Sequence, residues 1–248
     1  MSSLAALFFI VALIYASVGF GGGSTYTALL GLWGVDFKLI PVISLLCNII
    51  VVSGGVWRFQ RAGLIDWRQV WPLLAVSVPC AFVGGLIPLK QSLFLLILGG
   101  ALLASCFALL VQPSNWQPRT LPKPVVLGVS AAIGLLAGLS GIGGGIFMAP
   151  VLHLMRWADA RRIAAFASLY ILVNSIAGLS GQLLKSGVAT FSSVAGDYWP
   201  MMLAVLIGGH VGGTLGIRFF SPTLLKAITA VLVSYVAVRL IGQSLNFW

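Results

Sequence analysis

Apolar residues fall into eight long runs along the chain, separated by short polar breaks. The runs cover roughly residues 4–33, 39–57, 70–88, 92–112, 124–155, 163–183, 199–217 and 223–245. Runs of this length can cross ~30 Å of hydrocarbon as helices. The first and fifth runs are too long for one simple helix. Each has three consecutive glycines near its middle. The first is SVGFGGGSTYTALL, Ser17 to Leu30; the second is GLSGIGGGIFMAPV, Gly138 to Val151. Glycine triplets are poor helix formers, so both runs should break there.

The two halves of the chain match in order. Gly19 and Gly21–Gly22–Gly23 correspond to Gly141 and Gly143–Gly144–Gly145. Ser44–Leu45 corresponds to Ser168–Leu169, Gly54 to Gly178, and Gly63 to Gly187. Trp71–Pro72 then matches Trp199–Pro200, Gly84–Gly85 matches Gly212–Gly213, and Lys90 matches Arg218. The chain therefore reads as a first transmembrane repeat (1–111), a proline-rich linker (112–123) and a second repeat (124–248), a plan common among secondary transporters. The expected fold is an all-α polytopic membrane protein. Each repeat is a glycine-tipped re-entrant or broken helical hairpin followed by three transmembrane helices.

Composition narrows the class. Of 248 residues, 60% are hydrophobic and 7% are charged, and mean hydropathy is +1.09. A water-soluble domain carries about 25% charged residues. The formal charge of +10 comes from 14 Lys and Arg against 4 Asp. The basic residues lie mainly in the breaks, which indicates cytoplasmic loops, not a nucleic-acid surface. If every run crosses once, the 14 divide 7 to 7 between the two sides. If the first and fifth runs dip in and return, the division becomes 10 to 4. One side then holds Arg58, Arg61, Arg68, Arg119, Lys123, Arg156, Arg161, Arg162, Arg218 and Lys226; the other holds Lys38, Lys90, Lys185 and Arg239. The positive-inside rule favours the second arrangement. It makes the halves inverted relative to each other, with both termini outside. The N-terminus lacks the basic start of a secretory signal and reads as part of the first membrane segment.

Inverted hairpins bring their tips toward the midplane from opposite sides. Irregular backbone at that depth is tolerated only within protein or beside a water-filled cavity. At each tip a helix restarts, near Ser24 and near Ile146, and a helix start presents free N–H groups and partial positive charge. Two such starts facing one cavity would bind an anion without a cationic side chain. The four acids, Asp36, Asp66, Asp159 and Asp197, all fall in loops or at run ends, so no membrane carboxylate is available for a cation. The candidate binding residues are Gly21, Gly22, Gly23, Ser24 and Thr25 at the first tip, and Gly143, Gly144 and Gly145 at the second. Ser44, Asn48, Ser168 and Asn174 are candidates for lining the cavity, with Thr27, Ser140 and Tyr170 nearby.

Other features have plainer readings. Cys47, Cys80 and Cys106 lie in separate apolar runs without pairing or metal-ligand spacing, and read as small core residues. His153 and His210 could shuttle protons, but neither has a counterpart in the other half. The tryptophans cluster at run edges as interfacial anchors. Gly84–Gly85 and the GGHVGG stretch, Gly208 to Gly213, read as helix-packing sites. Gly138–Leu139–Ser140–Gly141 resembles the GxSG motif of rhomboid proteases, which would pair Ser140 with His210 as a dyad. Its duplicate carries Val18 in place of Ser140, so the repeated element is the glycine tip.

GFGGGS at Gly19–Ser24 and GIGGGIFMAP at Gly141–Pro150 resemble the paired signature of the TauE/SafE sulfite-exporter family. The basic turn RFQRAGLID, Arg58 to Asp66, and the Ser-Leu element after each tip are also similar to that family. The resemblance spans nearly the whole chain. It implies a bacterial-type inner-membrane carrier of small sulfur-containing anions such as sulfite, thiosulfate or sulfoacetate. It places the binding motif at Gly21–Gly23 and Gly143–Gly145, with Pro150 as the family proline and Ala28 at the matching place in the first motif. The expected function is secondary transport of such an anion by alternating access. No enzyme activity, cofactor, metal or nucleic-acid partner is expected. The partners are the anion, the lipid bilayer, protons as a candidate coupling ion, and a homo-oligomer as an open option. The alternatives are a passive anion channel and an intramembrane serine hydrolase.

Overall fold

The computed structural model describes residues 2–110, 122–155, 157–215, 238 and 241–242. Nearly all of the eighth run and of the linker lies outside them. The elements among the described residues are helices: α1 (Ser2–Ser17), α2 (Gly23–Leu32), α3 (Ile40–Arg61), α4 (Trp67–Leu86), α5 (Gln91–Leu110), α6 (Lys123–Ser140), α7 (Gly145–Leu154), α8 (Ala160–Ser186), α9 (Val188–Asp197) and α10 (Trp199–Leu215). Four of them, in α3, α4, α6 and α8, are long and apolar enough to cross a membrane. The outer surface is apolar, as lipid contact requires. Trp57, Trp67, Trp71 and Trp199 are exposed near helix ends, with Leu203, Leu206 and Ile207 exposed along α10.

Local sequence explains the helix boundaries. Asp66 caps α4 by accepting from the Arg68 N–H at 3.1 Å, and Asp159 caps α8 by accepting from Arg161 and Arg162 N–H at 3.0 Å. Proline occupies the first turns of α3 and α6, where its missing N–H costs nothing. The one element that the apolar pattern did not anticipate is α9. The apolar residues of its sequence VATFSSVAGD recur at helical spacing, but over too short a span to stand out from a loop.

Both long runs break at their glycines, and the chain doubles back there. Eleven residues of continuous helix would carry Gly22 ~16 Å beyond Val11. Instead, a Cβ built on Gly22 would lie 2.9 Å from the Val11 side chain, and Phe8 stacks on Tyr26 with centroids 4.7 Å apart. Half two repeats the geometry. A Cβ on Gly144 would lie 3.0 Å from Ile133, the counterpart of Val11. The returning helices, α2 and α7, have ten residues each, so each is ~15 Å long, half the hydrocarbon thickness.

The halves are interleaved. α1 packs along α10, α6 packs along α4, and α3 crosses α8 at the centre. Glycines make these approaches possible. A side chain on Gly84 would overlap the Leu135 carbonyl oxygen, and one on Gly212 would overlap that of Leu13. Gly84 and Gly212 correspond, and so do Leu13 and Leu135. Gly208 likewise lies against the Phe9 carbonyl. The glycines read as packing sites therefore pack, and they do so across the halves.

The loops also pair. Residues of the α3–α4 loop and the first turn of α4 (Leu64, Asp66, Val70), with residues of the α7–α8 loop and the start of α8 (Trp157, Asp159, Phe166), together line a cavity of ≈ 110 Å³. At the ends of α4 and α8, Lys185 Nζ donates to the Ile87 carbonyl at 3.3 Å. Tyr198, before α10, lies within electrostatic reach of Asp36, before α3.

Replacing Gly84 or Gly212 by alanine should destabilise the protein by ~1–3 kcal/mol, because the clash is with backbone. Gly100→Ala meets open space and should be neutral or slightly stabilising. Thermal unfolding of the purified variants in detergent would check this.

Candidate functional site

The tip glycines divide the labour of breaking and restarting a helix. Gly19, at φ 84°, ends α1. Its N–H bonds to the Ala16 carbonyl at 3.2 Å, and the Phe20 N–H bonds to the Tyr15 carbonyl at 2.8 Å, the paired closure of a Schellman motif. Gly22, at φ 88°, starts α2, and its carbonyl accepts from Thr25 and Tyr26 N–H. In half two, Gly141 ends α6 at φ 80° with its N–H on the Ala137 carbonyl. Gly144 starts α7 at φ 80° and accepts from Phe147 and Met148. Residues with a Cβ rarely adopt these angles, so glycine is required at all four positions.

The two tips meet. A side chain on Gly23 would overlap both the Ile142 carbonyl of the other tip and the Asn48 amide. One on Gly143 would lie 2.9 Å from Asn48 Nδ2 and 3.0 Å from Ser175 Oγ, and one on Gly145 would overlap Ile171. Every candidate residue is buried: Ser24, Thr25, Ser44, Asn48, Ser168 and Asn174 are at most 4% exposed. Gly21, Gly22, Gly23, Gly143, Gly144 and Gly145 are buried with them.

Hydroxyls from each half tie down the other half's tip. Ser44 Oγ, on α3, reaches the Gly141 carbonyl at 2.8 Å and the Gly23 carbonyl at 3.2 Å. Ser168 Oγ, on α8, donates to the Gly19 carbonyl. Ser44 corresponds to Ser168, and Gly141 to Gly19, so the cross-half bond occurs twice. Asn48 Nδ2 adds a bond to the Ile142 carbonyl at 3.2 Å and a longer one to Gly141 at 3.5 Å. Thr27 Oγ1 bonds to the Gly23 and Ser24 carbonyls, and Tyr15 OH pairs with Thr25 Oγ1 at 3.0 Å.

Donors remain free. No side chain caps α2. Among the described residues, the N–H groups of Gly23, Ser24, Gly145 and Ile146 reach no protein acceptor. The starts of α2 and α7 therefore both lie at the buried meeting of the tips, and among the described residues no carboxylate and no cationic side chain lies against their glycines. Such a site favours a small anion.

Not every candidate gathers at the tips. Asn174 Nδ2 bonds to the Tyr170 carbonyl of its own helix at 2.9 Å, while its neighbour Ser175 faces Gly143. Tyr170 OH binds the Ser130 carbonyl at 2.8 Å, behind the second tip. Ser140 Oγ is used locally: it donates to Leu136 and accepts from the Ile142 N–H. His210 is exposed on α10, and the side chains of His153, Pro150 and Cys106 lie outside the described residues. Ser175, Tyr15 and Gln182, whose Nε2 bonds to the Gly138 carbonyl, were not singled out from sequence. Each is a lone polar residue in an apolar run, and that was the only signal available.

A family model described as Sulfite exporter TauE/SafE matches residues 4–240. The chain belongs to this family. The TauE/SafE protein is 31% identical over 244 residues to a probable membrane transporter protein, y4hK, of Sinorhizobium fredii, covering 96% of this chain and 97% of that one. It is 25% identical over 246 residues to the probable membrane transporter protein YjnA of Bacillus subtilis, covering 90% and 92%. No solved structure matches. With its family and relatives, the TauE/SafE protein is a membrane transporter and not an enzyme. The GxSG serine is accordingly a helix-end cap.

Ser44→Ala or Ser168→Ala in this TauE/SafE protein should cost ~1–3 kcal/mol, since each leaves a buried carbonyl without its donor. Ser53→Ala, on an exposed face, should stay within about 0.5 kcal/mol. Thermal unfolding in detergent would separate them.

Proposed function

We propose that the chain is a secondary transporter of a small sulfur-containing anion, such as sulfite, thiosulfate or an organosulfonate like sulfoacetate. The anion is held by backbone amides of the two glycine tips near the membrane midplane, and access alternates between the two faces. The observation that carries this reading is the contact of the tips: Gly23 lies against Ile142, and the starts of α2 and α7 both lie at this buried meeting, with no carboxylate against their glycines among the described residues. The substrate class follows the family's name. The chemistry of the site supports the sign of its charge.

The inverted arrangement has support from the loops. If every apolar run crossed once, the α3–α4 and α7–α8 loops would lie on opposite sides, yet they line one cavity. The same scheme would separate Lys185 from Ile87 and Tyr198 from Asp36, and both pairs are close. All three proximities fit hairpins that return to the side they entered. The basic residues Arg58, Arg61, Arg68, Arg161 and Arg162 then share the cytoplasmic side. This puts both termini outside a bacterial-type inner membrane.

A thermal-shift screen of purified protein against sulfite, thiosulfate, sulfoacetate, sulfate and chloride tests the substrate class. At 100 times Kd, a bound anion should stabilise by ~2.7 kcal/mol. At least one sulfur anion should do so, and its flux into proteoliposomes should saturate. Gly23→Ala should lower that flux more than tenfold while Gly100→Ala leaves it intact. No stabilisation by any anion, or flux that rises without saturation as a channel's does, would overturn the reading.

A further inference from the structure

Asn48 stands out among the groups at the tips. It is completely buried, and its two amide atoms face different partners. Nδ2 is committed to carbonyls of the second tip, Ile142 and Gly141. That assignment fixes the orientation of the amide, because an oxygen facing those carbonyls would be repelled. Oδ1 therefore lies against Gly21 of the first tip, where a Cβ would be 2.5 Å from it, while at Gly23 Nδ2 is the nearer amide atom and Oδ1 would lie 3.0 Å from a Cβ. It has no hydrogen-bond partner among the described residues. A buried amide oxygen left unpaired costs about 1–3 kcal/mol.

An acceptor beside free N–H groups is an awkward neighbour for a fully ionised oxyanion, because two lone pairs would face each other. It suits an anion that retains an O–H. We propose that the site selects a protonated, singly charged oxyanion, with Asn48 Oδ1 accepting the ligand's O–H while the tip amides hold its negative oxygens. For sulfite, that ligand is hydrogen sulfite. The inference rests on the tip-binding reading above and adds the protonation state. A transporter with no membrane carboxylate would then move a proton with its cargo.

The feature belongs to one half. Four residues after Ser44 comes Asn48, while four after Ser168 comes Leu172. The protein's own titratable groups around Asn48 are Cys47 on its helix, Tyr15 on α1, Tyr26 on α2 and Tyr170 on α8. Arg58 lies nearly three turns further along α3. None of these normally titrates where sulfite takes up a proton to become hydrogen sulfite, near neutral pH. His210 on α10, which packs against α3, belongs to the residue type that does titrate near neutral pH, so methanesulfonate, whose charge is fixed, separates the protein's titration from the ligand's.

The experiment is titration of the purified full chain in nanodiscs with sulfite, one unit below and one unit above the second pKa of sulfite. Methanesulfonate, a monoanion without an ionisable O–H, and sulfate, a dianion, are titrated alongside. The apparent affinity for total sulfite should fall about tenfold across the range, following the hydrogen sulfite fraction. Methanesulfonate and sulfate should bind more weakly than hydrogen sulfite and without pH dependence. In Asn48→Leu, which copies the residue of the other half, the sulfite preference should collapse toward pH independence. Sulfite affinity that is flat or rises with pH, or methanesulfonate binding as tightly as sulfite, would overturn the protonation inference and leave tip binding standing. Failure of any anion to bind would overturn both. If Asn48→Leu does not fold, the wild-type comparison with methanesulfonate still decides.

Discussion

A peptide carbonyl released from its helix inside hydrocarbon must find a donor, or the structure bears a penalty of several kcal/mol. Each break in this chain frees carbonyls at Gly19 and Gly141. Neither half satisfies its own. Ser168 of the second half donates to Gly19, and Ser44 of the first donates to Gly141. This exchange fixes much else. Tips bonded to the opposite half must come together, and the helices carrying the serines, α3 and α8, must cross at the centre. The outer helices then have to pack across halves, as α1 does on α10 and α6 on α4. N–H groups have no comparable provision. The serines and Asn48 supply donors to the carbonyls, and the amides of the restarting helices stay available.

Much of this was legible in the sequence because glycine, serine and charge carry physical meaning in an apolar chain. The triplets marked both breaks to within a residue, since α2 begins at Gly23 and α7 at Gly145. The repeated Ser44 and Ser168 were visible as a pair, and their burial at the tips follows from that pairing. The sequence could not tell which partner each serine would find. A hydroxyl in an apolar run bonds its own helix as readily as another, as Ser140 does with Leu136. Asn174 illustrates the difficulty. It resembles Asn48 in type and follows the same repeated serine, yet it bonds within α8 and Ser175 faces Gly143. One residue of helical phase, about 100°, separates those two outcomes. The helix α9 escaped notice because its helical spacing of apolar residues, Val188, Phe191, Val194 and Ala195, lasts for only ten residues.

The left-handed tip glycines, Gly19 and Gly22 in the first half and Gly141, Gly143 and Gly144 in the second, show why a triplet alone understates the motif. Gly19 and Gly141 stop helices, while Gly22 and Gly144 start them. The spacing of three residues between stop and start sets how tightly the chain reverses. Gly21, Gly23 and Gly145 serve differently: their angles are ordinary, but a side chain would collide with Asn48, Ile142 or Ile171. Backbone angle and close approach are separate demands, and only glycine meets both in so short a stretch.

The interleaving also bears on how the molecule could move. In a transporter built from two independent halves, one repeat rocks against the other. Here each first arm is locked onto a helix of the opposite repeat by glycine contacts to backbone, Gly212 against Leu13 and Gly84 against Leu135. Sliding those surfaces would drive carbonyls into one another, so α1 with α10, and α4 with α6, behave as units. Both units are assembled from opposite halves of the chain. The contacts at the tips are of another kind: hydroxyls from α3 and α8 meet freed carbonyls there, instead of interlocked backbone. Hydrogen bonds there can be exchanged for bonds to a ligand at little net cost. Packed glycine seams can only stay closed or come apart. Under the proposed function, the serines that close the tips are placed to respond when an anion reaches them.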